Sequence, residues 1–64
     1  MKTTYDRDAD AFYVRFSNSQ IIESEEVRPG LILDFDAEGR IVSIELLDAR
    51  KQLAPEALAD IKVA

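Results

Sequence analysis

Apolar residues fall in short runs with a two-residue period over most of the chain, and change to helical spacing only near its end. The richest stretch is Leu31 to Leu47, two apolar runs joined by Asp36-Ala37-Glu38-Gly39. Asp at the first position and Gly after the turn predict a type I turn followed by a left-handed glycine, the signature of a three-residue hairpin loop. That loop predicts a register pairing Asp36 with Arg40, Phe35 with Ile41, Asp34 with Val42, Leu33 with Ser43 and Ile32 with Ile44. Alternation then puts Leu31, Leu33, Phe35, Ile41 and Leu47 on one face with Ser43 and Glu45. The other face takes Ile32, Val42, Ile44 and Leu46 with Asp34, Asp36 and Arg40. Both faces are rich in apolar residues, so these strands are expected to be central and covered on each side.

The flanking segments complete a small sheet. Lys2 to Asp6 predicts a short strand, ended by the Asp-rich turn Asp6-Arg7-Asp8-Ala9-Asp10, whose side chains are expected to cap backbone amides. Ala11 to Ser17 alternates cleanly, with Phe12, Val14 and Phe16 inward and Tyr13, Arg15 and Ser17 outward. Ile21 to Arg28 reads as an edge strand, because Glu23, Glu25 and Glu26 crowd it with like charge. Arg28-Pro29-Gly30-Leu31 has the residues of a type II turn, which fits the twist of a tight hairpin poorly. It predicts a corner that leaves the third strand less well paired. Beyond Leu47, Asp48 is placed to cap one helical turn, and Pro55 suits the first position of a helix. Ala54, Ala57, Leu58 and Ile61 then form its narrow apolar stripe. The expectation is a single domain over 1–64. It is an α+β fold, with an antiparallel β-meander of four to five strands over 2–47 and a C-terminal helical segment, 48–63, packed on the sheet.

Composition narrows the function classes. The chain has 64 residues, 47% hydrophobic and 33% charged, which is globular in composition and near the size where one core is barely sufficient. It has no cysteine and no histidine, which removes disulfides and ordinary zinc sites as staples. A small unstapled core often gains stability by self-association, so a homodimer is one expectation. The net charge of -5 opposes binding to a nucleic-acid backbone and favours a protein partner with a basic surface. No run approaches the roughly 20 apolar residues of a membrane span. The N-terminus lacks the apolar region of a signal peptide, so no membrane association and a cytoplasmic location are expected.

The carboxylates are the main candidates for chemistry. Asp34-x-Asp36-x-Glu38-Gly39, followed at the right distance by Glu45, follows an EF-hand calcium loop except for Glu at the third ligand position. Such a loop needs six to eight oxygens around a hard cation, and a helix leading into it. Here Pro29 and Gly30 precede a β-type segment, and the expected register puts Asp34 and Glu45 on opposite faces. The turn reading is preferred, which leaves Asp34, Asp36 and Glu38 as weak metal candidates and a carboxylate metal binder as a remote alternative. Asp34 also stands among Ile32, Val42 and Ile44, which would desolvate it. The structural alternative gives it backbone hydrogen bonds, or a pairing with Arg40 or Arg15. Without a histidine, a cysteine, a Gly-rich phosphate loop or a triad arrangement, no enzyme and no cofactor are expected. Glu23, Glu25 and Glu26 are either a solvated edge or a dock for a basic partner, with Tyr13 and Arg15 as residue types favoured at interfaces.

One combination of motifs is specific. Tyr5-Asp6 stands with Asp10-Ala11-Phe12-Tyr13-Val14, then Glu25-Glu26-Val27 before Pro29-Gly30. Leu33-Asp34-Phe35-Asp36 and Gly39-Arg40-Ile41-Val42 follow, then Ile44-Glu45-Leu46-Leu47-Asp48-Ala49. Together they resemble the small, mostly bacterial domain-of-unknown-function family 2283, over roughly residues 5 to 50. Ser43 stands where a small residue, often Gly, is expected in that family. The resemblance implies a compact β-sheet domain with a C-terminal helix and no assigned catalytic residues. Some such proteins are similar to neighbours of small toxin genes, which implies an antitoxin-like interaction module. The alternative is a self-associating, homodimeric structural domain.

Overall fold

The computed structural model describes residues 1–59 of the 64. Five strands form one antiparallel sheet: β1 (Lys2–Asp6), β2 (Ala11–Arg15), β3 (Glu23–Arg28), β4 (Leu31–Phe35) and β5 (Ile41–Leu46). Two short helices follow, α1 (Ala49–Gln52) and α2 (Pro55–Ala59). The α+β class and the antiparallel sheet are those the sequence predicts. The spatial order is β1-β2-β5-β4-β3, so the meander covers β3 to β5, and β2 joins it alongside β5. With a long connection from β2 to β3, strands β2 to β5 make a Greek key. That connection must cross three interstrand spacings, roughly 14 Å. Residues 16–22 span this easily, since an extended residue covers about 3.3 Å or more.

The hairpin begins as expected. Asp36 N–H donates to the Arg40 carbonyl at 2.9 Å, Gly39 N–H donates to the Asp36 carbonyl at 3.1 Å, and Gly39 takes φ 78°. Beyond Phe35↔Ile41 the expected register fails. Asp34 pairs with Ser43, Leu33 with Ile44 and Ile32 with Glu45, leaving Val42 as the extra residue of a bulge. The cause is the cost of setting a carboxylate against a valine. The bulge gives Asp34 a hydroxyl partner and leaves Val42 on the apolar side, only 1% exposed. A second bulge, at Val27, lets the Arg28-Pro29-Gly30 turn join two strands that pair from Glu23↔Phe35 to Arg28↔Leu31. The third strand is therefore fully paired, contrary to the corner expected from its turn residues.

Register and alternation give the sheet two unlike faces. One is apolar: Tyr5 of β1, Phe12 and Val14 of β2, Leu31, Leu33 and Phe35 of β4, and Ile41, Val42, Ile44 and Leu46 of β5. The other carries Tyr13, Arg15, Ser24, Ile32, Asp34, Ser43 and Glu45. Ile44 and Leu46 thus move to the face of Leu31 and Leu33, and Ser43 and Glu45 move to that of Asp34.

The helical segment is divided. Asp48 does not cap α1: its φ of 51° is left-handed, and its side chain makes no cap hydrogen bond. An N-cap side chain needs an extended backbone to reach the helix amides. Asp10 takes the part from the β1–β2 turn, its carbonyl accepting from Ala49 N–H at 2.9 Å and its carboxylate from Arg50 N–H at 3.2 Å. On the other side the Gln52 amide donates to the carbonyls of Gly30 and Leu47 at 2.8 and 2.7 Å. These bonds fix α1 to the end of the sheet and leave Ala49 fully buried. Pro55 opens α2, as its fixed φ suits. Of the expected stripe, Ala54 is exposed and Ala57 half-buried, while Ile61 lies outside the described residues.

Candidate functional site

The polar face is organised by β4 and β5. Asp34, 1% exposed, accepts hydrogen bonds from Ser24 Oγ of β3 at 2.5 Å and from Ser43 Oγ of β5 at 2.6 Å. Tyr13 Oη donates weakly to Ser43 Oγ at 3.4 Å, and Arg15 Nη1 donates to Tyr13 Oη at 3.3 Å. Glu45, on the same face through the bulge, is the second carboxyl of the cluster. Its hydrogen bond to Asp34 holds its own pKa above the ordinary glutamate value, with burial and the Asp34 charge acting in the same sense. At Asp34 burial is the largest single influence and pushes upward. The hydrogen bonds from Ser24, Ser43 and Glu45, with the charge of Arg15, outweigh it and hold the pKa below the usual value. The two shifts run in opposite directions, so Asp34 is the stronger acid of the pair.

This cluster is closed. Ser43 is fully buried, and every buried side-chain polar atom among the described residues has a partner. Arg15 extends it outward, Nε donating to the Ser17 carbonyl at 2.8 Å and Nη2 to the Ser19 carbonyl at 2.9 Å, which fastens the β2–β3 connection. Tyr13 and Arg15 do lie opposite Phe12 and Val14, but their polar groups are engaged within the molecule.

The weak metal candidates are not brought together. Asp36 Oδ1 accepts from the backbone N–H groups of Arg40 and Glu38, both at 2.9 Å. The Arg40 amide is the main cause of its lowered pKa; burial, next in size, opposes it, and the Glu38 amide and the Arg40 charge add to the lowering. Arg40 also bridges Asp36 at 3.3 Å and Glu38 at 3.0 Å. Asp34 is turned into the Ser24–Ser43 network instead. No group of three or more potential metal ligands occurs among the described residues. In the Asp-rich turn Asp6 Oδ1 accepts from the amides of Asp8 and Ala9, the capping role expected for it.

The acidic strand is at the edge, as its charge predicts. All six residues of β3 are exposed, and among the described residues its outer side has no neighbouring strand. Glu23 and Glu25 fall beside Phe35 and Leu33 on the apolar face, while Glu26 falls on the polar face, its carboxylate accepting from Gly30 N–H at 3.2 Å. Among the described residues neither Glu23 nor Glu25 makes a salt bridge.

Sequence reasoning missed Ser24, Ser43 and Glu45 as the partners of Asp34, and Asp10 as the cap of α1. A signal for the first was present: pairing Asp34 with Ser43 sets polar against polar, which cross-strand preferences favour over Asp34 against Val42. Nothing local links Asp10 to Ala49.

No helix among the described residues is long and apolar enough to cross a membrane. No curated protein and no solved structure matches the chain. A family model does match, over residues 2–50, and it covers every strand and the first residues of α1. The chain belongs to DUF2283, a family described as protein of unknown function.

Proposed function

We propose that this protein is a protein–protein interaction module whose acidic edge strand receives a small basic partner, in the manner of an antitoxin holding its toxin. The observation that carries the reading is β3 itself: an exposed edge with outer backbone groups unpaired and three glutamates, none with an ionic partner among the described residues. Strand addition supplies backbone hydrogen bonds, and the side chains decide which strands are admitted. Like charge along the edge repels neutral-to-acidic strands, including a second β3, and admits a Lys- or Arg-bearing one. The other carboxylates of the sheet are engaged internally, Asp34 by serines and Asp36 by its turn. The net charge of -5 favours the same encounter at long range.

The test is co-expression with the product of the adjacent gene. A complex that co-purifies, relieves growth inhibition and is lost in the double variant Glu23→Lys/Glu25→Lys supports the reading. Absence of both complex and rescue would end it.

A further inference from the structure

We infer that the strand received by β3 runs antiparallel to it and carries two basic residues, two positions apart, set across from Glu23 and Glu25. This rests on the interaction reading above and specifies the partner's chemistry. The hydrogen-bond pattern of the sheet fixes which edge groups are open. Leu47 N–H donates to the Gly30 carbonyl at 2.8 Å, so Gly30 turns its backbone toward β5, and by alternation Ile32 and Asp34 do the same. Leu31, Leu33 and Phe35 turn theirs toward β3, where they pair with Arg28, Glu25 and Glu23. Glu23 and Glu25 therefore direct their backbone groups at β4. Ser24 and Glu26 turn theirs outward, and no strand lies beyond them among the described residues.

The side chains state what such a strand must carry. Glu23 and Glu25 stand on the apolar face and, with Ser24 and Phe35, line an open recess of about 270 Å³. A lysine or arginine suits it, with an aliphatic stem for the ring and a charged head for the carboxylates. Glu26 falls on the other face, where its carboxylate already accepts from Gly30 N–H at 3.2 Å. Arg28, paired with Leu31, shares the face of Glu23 and Glu25, and its guanidinium donates to Gln52 Oε1 at 3.1 Å. Its charge confines the basic pair to the Glu23–Glu25 end and requires an uncharged residue opposite itself. Ile22 and Val27, one at each end of the acidic segment, are 56% and 45% exposed. An edge built only to stay solvated would have polar residues there, so the incoming strand is apolar at its ends.

Antiparallel addition continues the ladder of the sheet and is the more stable pairing per residue. Residues opposite Ser24 and Glu26 then exchange backbone hydrogen bonds. Those opposite Glu23 and Glu25 form the non-hydrogen-bonded pairs, with Cα atoms about 4.5 Å apart and side chains closest. The basic residues thus meet the glutamates where cross-strand contact is tightest. The Ser24 hydroxyl, bonded to Asp34 at 2.5 Å, holds the middle of the open segment in place before a partner arrives. A second β3 laid antiparallel about Ser24 or Glu25 would set glutamate against glutamate.

The probe is the peptide acetyl-Val-Thr-Lys-Thr-Lys-Val-amide, titrated at low salt into the isotope-labelled full chain and followed by its backbone amide resonances. The amides of Ser24 and Glu26 should shift most. Glu23→Gln and Glu25→Gln should each weaken binding roughly two- to fivefold, and Glu26→Gln should leave it nearly unchanged. N-methylation of the threonine between the lysines, which faces Ser24, should weaken binding about tenfold. N-methylation of the second lysine, whose N–H points away from β3, should have no effect. Equal response to the two methyl groups would mean charge attraction without a strand, and sensitivity to the lysine methyl group alone would mean parallel addition; either overturns the inference. So does an absence of saturable binding, and if the adjacent gene product still forms its complex, the interaction reading stands without it. Peptide binding as expected with no such complex would keep the strand chemistry and remove the antitoxin-like role.

Discussion

Asp34 is held by two serine hydroxyls from two different strands, and that arrangement has measurable consequences. Asp34→Ala removes the acceptor for both hydroxyls and leaves Ser43 unsatisfied in the interior, at a cost of about 2–4 kcal/mol readable by urea denaturation. The carboxyl pair also makes stability depend on pH. Asp34 has a lowered folded-state pKa, so its contribution is present above its ordinary value of 3.8 and lost as pH falls through the lower folded value. Glu45 has a raised one, so its contribution is complete below its ordinary value of 4.5 and lost as pH rises through the higher folded value. Both contributions are complete together only between the two ordinary values, 3.8 and 4.5. Glu45→Gln keeps a donor for Asp34 without titrating, so the loss of stability on the alkaline side should flatten in that variant. Thermal melts across the acidic range would show it, and an unchanged slope would mean that Glu45 does not carry the alkaline-side dependence.

At the scale of elements, the two glycines separate turn conformation from turn environment. Both have positive φ, 82° at Gly30 and 78° at Gly39. A side chain at Gly39 meets nothing within 4 Å, whereas one at Gly30 comes within 2.7 Å of the Gln52 amide and 3.0 Å of the Leu47 carbonyl. Asn tolerates the left-handed region, so Gly39→Asn should cost well under about 1 kcal/mol. Gly30→Asn should cost more, about 1–3 kcal/mol, because it displaces the amide that fastens α1. Equal melting shifts would contradict this. Asp10, at φ 52°, offers a parallel case. Asp10→Asn keeps an acceptor for Tyr5 and Arg50, while Asp10→Ala loses both and should cost about 1–2 kcal/mol more. The same elements show what was legible in the sequence. Alternation located all five strands, and Asp36 to Gly39 specified its turn, because those signals are local. The register beyond Phe35, the rescue of the third strand by a bulge and the capping of α1 by Asp10 all turn on partners supplied from elsewhere in the chain. A period-two pattern cannot report an inserted residue, since one bulge exchanges the faces of everything beyond it.

For the whole molecule, the sequence foretold a second apolar face that needed covering, and it misassigned which residues form it. The bulge gathers the aliphatic residues onto one face and the polar cluster onto the other, so one large surface is left open instead of two smaller ones. If that surface is shared between copies, the melting temperature should rise with protein concentration. A concentration-independent melt would argue for a self-sufficient monomer. The strand order carries a further, kinetic consequence. β3 to β5 are joined by tight turns, and so are β1 and β2, yet the two groups meet only along the β2–β5 ladder, where Phe12 faces Leu46 far along the chain. Closing that seam costs more chain entropy than forming either hairpin unit, so it should set the folding rate. It is also where the native sheet should part first. Amide hydrogens of β2 that point at β5 should exchange together with those of β1, ahead of those shared by β4 and β5, as though the first fifteen residues were a removable panel on a sturdier frame.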